Sequence, residues 1–223
     1  MTENKLIITI DGPSGVGKST VAKSVAKILG LTYLDTGAMY RAVALLVSRN
    51  RIDLNNTQDL SGFLNSIIIK LEKIDDENYN LLLNDEDVSR FIRTPEISAL
   101  ASDVATIKSV RTKLVEIQQE IGRTGNIVAD GRDMGTYVYP DADYKFYLDA
   151  TVHKRAQRRW KQLLELGNSV DIAEVKKEIK TRDIQDKSRS ESPLHPARNA
   201  VIINTTDVNA SEVINRIIDI VRG

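Results

Sequence analysis

The amino-acid sequence predicts an α/β fold in which parallel strands are joined by crossover helices. Three observations carry this. A short apolar, β-branched run at residues 5–10 leads through a Gly-rich loop into a helical pattern and then a second apolar run. Further apolar runs at 126–129, 145–148 and 200–203 alternate with helix-length stretches. Between these two parts the rhythm breaks, with two strand-like runs separated by a polar turn.

In order, 5–10 reads as a buried strand and 11–17 as a loop. Residues 18–29 read as a helix with Val21, Val25 and Ile28 on one side and Gly30 as its C-cap. A strand at 31–34 ends at Asp35, and a helix follows at 37–50. The runs at 67–73 and 79–83, separated by Asp75, Asp76, Glu77 and Asn78, predict an antiparallel hairpin. Residues 87–109 are polar and mixed, which predicts short helices, and a long helix covers 110–121. After the strand at 126–129, which ends at Asp130, come a strand at 145–148 and helices at 152–166 and 172–183. The strand at 200–203 ends at Asn204. Asn209 and Glu212, at capping-box spacing, open a last helix that runs to about 221. The core is therefore expected at 1–50 and 109–223, with an insertion at 51–108 carrying its own small antiparallel sheet.

Composition narrows the function. The 223 residues carry 31 Lys plus Arg against 31 Asp plus Glu. A duplex-binding protein, whose affinity comes from neutralising phosphates, normally has a basic excess. No nucleic-acid partner is therefore expected, and any basic patch must be local. The absence of cysteine excludes disulfides and thiolate metal sites. Residues 1–10 lack the apolar region and cleavage site of a signal peptide, and no apolar run approaches the ~20 residues that span a bilayer. The expected location is cytoplasmic, away from membranes.

Gly12-Pro13-Ser14-Gly15-Val16-Gly17-Lys18-Ser19 matches the phosphate-binding loop G-x-x-x-x-G-K-[ST] at every fixed position. Its glycines let the backbone wrap a phosphate, successive N–H groups form an anion nest, and the next helix points its positive end at the same place. Lys18 can bridge β- and γ-phosphates, and the Ser19 hydroxyl can ligate Mg²⁺. Gly12 to Thr20 are the expected ATP contacts. Switch GTPases are disfavoured because no Asn-Lys-x-Asp guanine-reading motif occurs. Motor and transport ATPases are disfavoured by the short chain. A kinase of a small acceptor remains, with a kinase of UMP or a sugar acid, or a non-catalytic ATP-binding regulator, as the competing readings.

Strand ends are where ligands sit in open α/β sheets. Asp35-Thr36-Gly37 and Asp130-Gly131-Arg132-Asp133 occupy such places, Arg41 lies just inside the second helix, and Arg182, Asp183, Asp186 and Arg189 cluster further on. Arg155, Arg158 and Arg159 crowd one helix. So many arginines beside strand ends, in a chain without net positive charge, point to an anionic acceptor. His153 and His195 have no metal-ligand partner at suitable spacing, and Trp160 is expected to pack.

Several stretches then resemble bacterial cytidylate kinases, members of the nucleoside monophosphate kinase family. They are Gly-Pro-Ser-Gly-x-Gly-Lys at 12–18, Leu-Asp-Thr-Gly-Ala-Met-Tyr-Arg at 34–41, Asp-Val-Ser at 87–89, Ile-Arg-Thr-Pro-Glu at 92–96, Ala-Asp-Gly-Arg-Asp-Met-Gly-Thr at 129–136, Arg-Asp-x-x-Asp-x-x-Arg at 182–189 and Pro-Leu-x-Pro-Ala at 193–197. The resemblance covers essentially the whole chain in order. It implies a P-loop NTPase of adenylate-kinase-like build: a three-layer α/β/α core on a five-stranded parallel sheet, an inserted monophosphate-binding domain and a short lid at 153–172. It also implies transfer of a phosphoryl group from ATP to CMP or dCMP, with Mg²⁺, by a monomer. By the same resemblance, Arg41, Arg132 and Arg189 hold the acceptor phosphate, and Ser102, Arg111 and Asp133 read cytosine. Arg182 and Asp186 lie at the sugar, and Thr36 is near the acceptor. Lys18, Arg132, Arg189 and the lid arginines Arg155 and Arg159 stabilise the transferring group. Asp130, ending its strand, is the candidate to hold Mg²⁺ through water beside Ser19. Ser19 stands where much of that family has glycine, and Asn199 where it usually has aspartate.

The chemistry agrees with a cytosine reader. Its N4 amino group can donate to a carboxylate such as Asp133, and Arg111 can meet N3 and O2. Uracil would turn an acceptor toward that carboxylate, a mismatch that costs ~1–3 kcal/mol.

Overall fold

The computed structural model describes residues 5–54, 56–74, 79–123 and 125–223. Residues 1–4 and the expected hairpin turn at Asp75, Asp76, Glu77 and Asn78 lie outside the described residues. The chain divides into two compact units, Met1–Leu34 with Gly125–Gly223, and Asp35–Thr124.

The first unit is built on a five-stranded sheet in the order β2-β6-β1-β7-β8. These strands are β1 (Ile7–Asp11), β2 (Thr32–Asp35), β6 (Ile127–Gly131), β7 (Tyr144–Asp149) and β8 (Val201–Asn204). β1 pairs in parallel with β6 on one side and β7 on the other, and β7 with β8. Central parallel strands are covered on both faces and so read as near-continuous apolar runs. Ile8, Ile10, Val128, Phe146, Leu148 and Ile203 are all buried in one core cluster. Helices α1 (Lys18–Leu29) and α8 (Ala210–Arg222) add Val21, Ala22, Val25, Val213 and Ile217 to it. A second cluster joins α6 (Val152–Glu165) to α7 (Ile172–Ser188) through Ala156, Leu163, Val175 and Ile179. Residues 153–172 form α6 and the passage into α7.

Helix ends follow the residues. Gly30, in the left-handed region, directs its N–H to Ala26 and Lys27 and stops α1. Asn209 accepts from the Glu212 N–H and donates to its carboxylate, which opens α8. The predicted helix at 172–183 continues to Ser188, carrying Asp186 within it.

The second unit holds α2 (Thr36–Asn50), α3 (Thr57–Asn65), α4 (Pro95–Val104), α5 (Lys108–Arg123) and a three-stranded sheet. The predicted hairpin is present as antiparallel β3 (Ile69–Lys73) and β4 (Tyr79–Leu83), extended by the two-residue β5 (Glu86–Asp87). Thr94 caps α4 by accepting the Ile97 N–H, with Pro95 at the first helical position. The stretch 51–108 lies inside this unit, where α2 packs on α4 and α5 meets α3 and α2. Among the described residues, no helix is long and apolar enough to cross a membrane.

Candidate active site

The Gly-rich loop joins β1 to α1. Gly12 has φ 149°, and a Cβ there would fall 2.2 Å from the Leu148 carbonyl oxygen, so only glycine lets the loop leave the strand beside β7. α1 opens without a side-chain cap at Gly17. Its first N–H groups and positive end are thereby left for an anion.

Lys18 is buried, and its Nζ donates to the Pro13 carbonyl at 2.9 Å across the loop. Burial, and then Arg132, push its pKa down to about 7. An arriving phosphate would reverse that push. Ser19 Oγ donates to Asp130 Oδ2 at 2.9 Å, and Tyr33 donates to Asp130 Oδ1 at 3.1 Å. Among the described residues, no group of three His, Asp or Glu could hold a metal by itself. One hydroxyl beside one carboxylate is a hard oxygen set that fits Mg²⁺, which takes most of its ligands from phosphates and water.

Asp186 on α7 bridges two arginines. Arg132 Nε donates to its Oδ2 at 2.7 Å, and Arg189 Nη2 donates to its Oδ1. Burial would raise the Asp186 pKa, but Arg132 and Arg189 outweigh it and hold the carboxyl below its usual range. Arg182 reaches Glu178, and burial together with repulsion from Arg132 lowers its pKa. Lys18, Arg132, Arg182 and Arg189 thus gather in this unit together with Asp11, Asp130 and Asp186. Asp133 is buried beside them, after Arg132.

The arginines of α6 differ from one another. Arg155 is buried, donating to Ala150 O, to Ser14 O and, through both Nη atoms, to Asp183 at 2.9 and 2.6 Å. It grips the phosphate loop from behind, by a carbonyl. Arg158 does the same to Val16 O, and Thr205 Oγ1 donates to that oxygen too. Arg159 reaches Gln162 and raises the positive potential felt by Arg182.

In the second unit Arg41 donates to Asp35 Oδ2 at 3.1 Å, while Asp35 Oδ1 caps α2 at the Ala38 N–H. Arg111 is buried, donates to Ala105 O at 3.3 Å, and lies 6.0 Å over the Tyr40 ring. Ser102 Oγ donates weakly to Ser98 O at 3.4 Å, and Thr36 is buried at the start of α2.

Sequence reasoning did not single out Asp35, Tyr40, Asp183 or Thr205 as orienting groups. Nor did it single out Asp11, whose carboxyl burial pushes up to about 6 while the Gly135 and Met134 N–H groups pull it down. The signal for Asp11 was legible: a carboxylate closing a buried strand must find donors. His153 contacts Gln157 and His195 the Pro196 carbonyl, both at exposed positions, and Trp160 packs at the α6–α7 cluster.

Known proteins resemble this chain over nearly its whole length. The family model described as cytidylate kinase matches residues 8–223. A cytidylate kinase from Desulforamulus reducens is 47% identical over 98% of this chain and 97% of its own length. One from Caldicellulosiruptor saccharolyticus is 44% identical over 97% and 95%. Among solved structures, a shikimate kinase from Bacteroides thetaiotaomicron superposes with a TM-score of 0.53 at 12% identity, covering 99% of this chain and all of its own. That likeness shows a shared α/β kinase fold. With the phosphate loop in place and the match running through the last strand and helix, the chain belongs to the cytidylate kinase family.

Proposed function

We propose that this protein transfers the γ-phosphoryl group of ATP to CMP or dCMP, giving ADP and CDP or dCDP, in pyrimidine nucleotide metabolism. The observation that carries the reading is the gathering of Lys18, Arg132, Arg182 and Arg189 beside an uncapped helix N-terminus. In this reading Gly12 to Thr20 hold the ATP phosphates, with Lys18 at the transferring group. Arg132 and Arg189 leave Asp186 in part to hold the CMP phosphate, assisted by Arg41. Arg182 and Asp186 serve the sugar, Thr36 lies near the acceptor, and Asp133, Arg111 and Ser102 read the base.

The attacking oxygen of CMP is already anionic, so no general base is needed. The barrier lies in bringing two polyanions into line, and positioned cations lower it. Ser19, with Asp130 reached through water, would hold Mg²⁺, which supplies charge neutralisation at the β- and γ-phosphate oxygens. Arg159, within the proposed lid at 153–172, completes the cationic surround, Arg155 braces the phosphate loop from behind, and lid closure excludes water. The protein works as a monomer in the cytoplasm, on small molecules rather than nucleic acid or membranes.

The test is coupled ADP release with ATP and Mg²⁺, offering CMP, dCMP, UMP, AMP and GMP in parallel. Strong turnover with CMP and dCMP and weak turnover elsewhere is expected. Preference for another acceptor would overturn the base-reading roles, and acceptor-independent behaviour would overturn the kinase.

A further inference from the structure

Asp11 is the last residue of β1, in register with Gly131 of β6. Its carboxylate is buried, and both oxygens are engaged by one neighbouring turn: Met134 N–H donates to Oδ1 at 2.9 Å and Gly135 N–H to Oδ2 at 2.8 Å. These amides open a π-type turn, Met134–Val138, that follows directly on Arg132 and Asp133. The opening N–H groups of any helical turn have no partner within it. Here a side chain from another element supplies both acceptors.

The turn is fixed in two further ways. The Asp133 carbonyl accepts the N–H groups of Tyr137 and Val138. Gly135 is pressed against β1, where a Cβ would fall 2.9 Å from Thr9 Oγ1. π-type turns are rare and concentrate at functional sites.

We infer that Asp11 is a positioning residue for the acceptor: it holds the backbone that aims Arg132 and Asp133, although it adjoins the loop that binds the donor. The inference rests on the proposed roles of Arg132 and Asp133. A carboxylate is required because both oxygens face N–H donors. An amide would set its NH₂ against one of them.

The test compares wild type with Asp11→Asn, Gly135→Ala and the double variant Thr9→Ala/Gly135→Ala, varying ATP and CMP separately. A buried N–H left without an acceptor should raise the KM for CMP roughly 5- to 150-fold in Asp11→Asn and lower the CMP-to-UMP ratio. The KM for ATP should stay within about twofold, the mark of lost acceptor binding alone. Amide exchange at Met134 and Gly135 should speed up.

Gly135→Ala displaces the same turn without touching Asp11 and should shift the KM for CMP likewise. Thr9→Ala should relieve it, since among the described residues the Thr9 hydroxyl makes no hydrogen bond that would be lost. This pair decides the matter if Asp11→Asn does not fold. Equal losses for ATP and CMP in Asp11→Asn, or an unchanged KM for CMP in a folded Gly135→Ala, would overturn the inference. A wild type inactive on CMP would instead overturn the functional reading, and unchanged exchange at the two amides would then overturn the role of Asp11 in holding the turn.

Discussion

Arg155 stands where a lid arginine is expected, yet its guanidinium is built into the protein behind the phosphate loop. Its ion pair with Asp183 is buried, at 4% and 14% side-chain exposure, and closed by two short hydrogen bonds. Arg155→Ala would strand Asp183 and release the carbonyls of Ser14 and Ala150. Breaking a buried pair by removing one partner costs ~3–5 kcal/mol. At roughly 2–4 °C per kcal/mol for a chain of this size, the melting temperature should fall by about 6–20 °C.

Asp183→Ala should cost a similar amount, because it strands the arginine. The double variant should then lose about 0.5–3 kcal/mol less than the two singles combined. Arg155→Lys should not restore the wild type, since an ammonium cannot make the paired contacts of the planar guanidinium. Urea and thermal unfolding of all four variants measure these values, with kcat and the KM for ATP measured alongside. Full stability in Arg155→Ala, with kcat reduced a hundredfold or more, would refute the bracing role and return Arg155 to the transferring phosphoryl group.

Three other outcomes are expected. Asp133→Ala should lose its preference for CMP over UMP, by ~1–3 kcal/mol, more than it loses overall phosphoryl transfer; acceptor competition measures this, and equal losses for both acceptors would count against base reading. Ser19→Ala should need more Mg²⁺ for half-maximal rate, read from a Mg²⁺ titration at fixed ATP, while a chelator should abolish turnover in both proteins. Asp186 has a folded pKa below its ordinary 3.8, so the stability it contributes is present above that value and is lost as pH falls through the folded pKa. Asp186→Asn should therefore be less stable at neutral pH yet flatter with pH below about 4, where denaturant midpoints across pH 2–7 would record it.

The sheet and its helices could be read from the sequence because their signals are local. An apolar run bounded by a polar loop specifies a buried strand wherever it lies, and Gly30 or Asn209 ends or starts a helix through contacts within one turn. The phosphate loop was equally legible, since its function resides in consecutive backbone amides. The hairpin could be placed by two strand-like runs on either side of a polar turn, whereas α3 and the two-residue β5 carry too little pattern to be foreseen.

Family motifs named the arginines, but what each guanidinium does depends on partners far along the chain. Tertiary packing alone sets Asp186 between Arg132 and Arg189, pairs Arg155 with Asp183, and turns Asp11 onto the amides of Met134 and Gly135. The physical reason is that a buried charge must be matched by whichever group the fold brings within hydrogen-bond reach, and that distance in space is not written in the spacing of the sequence.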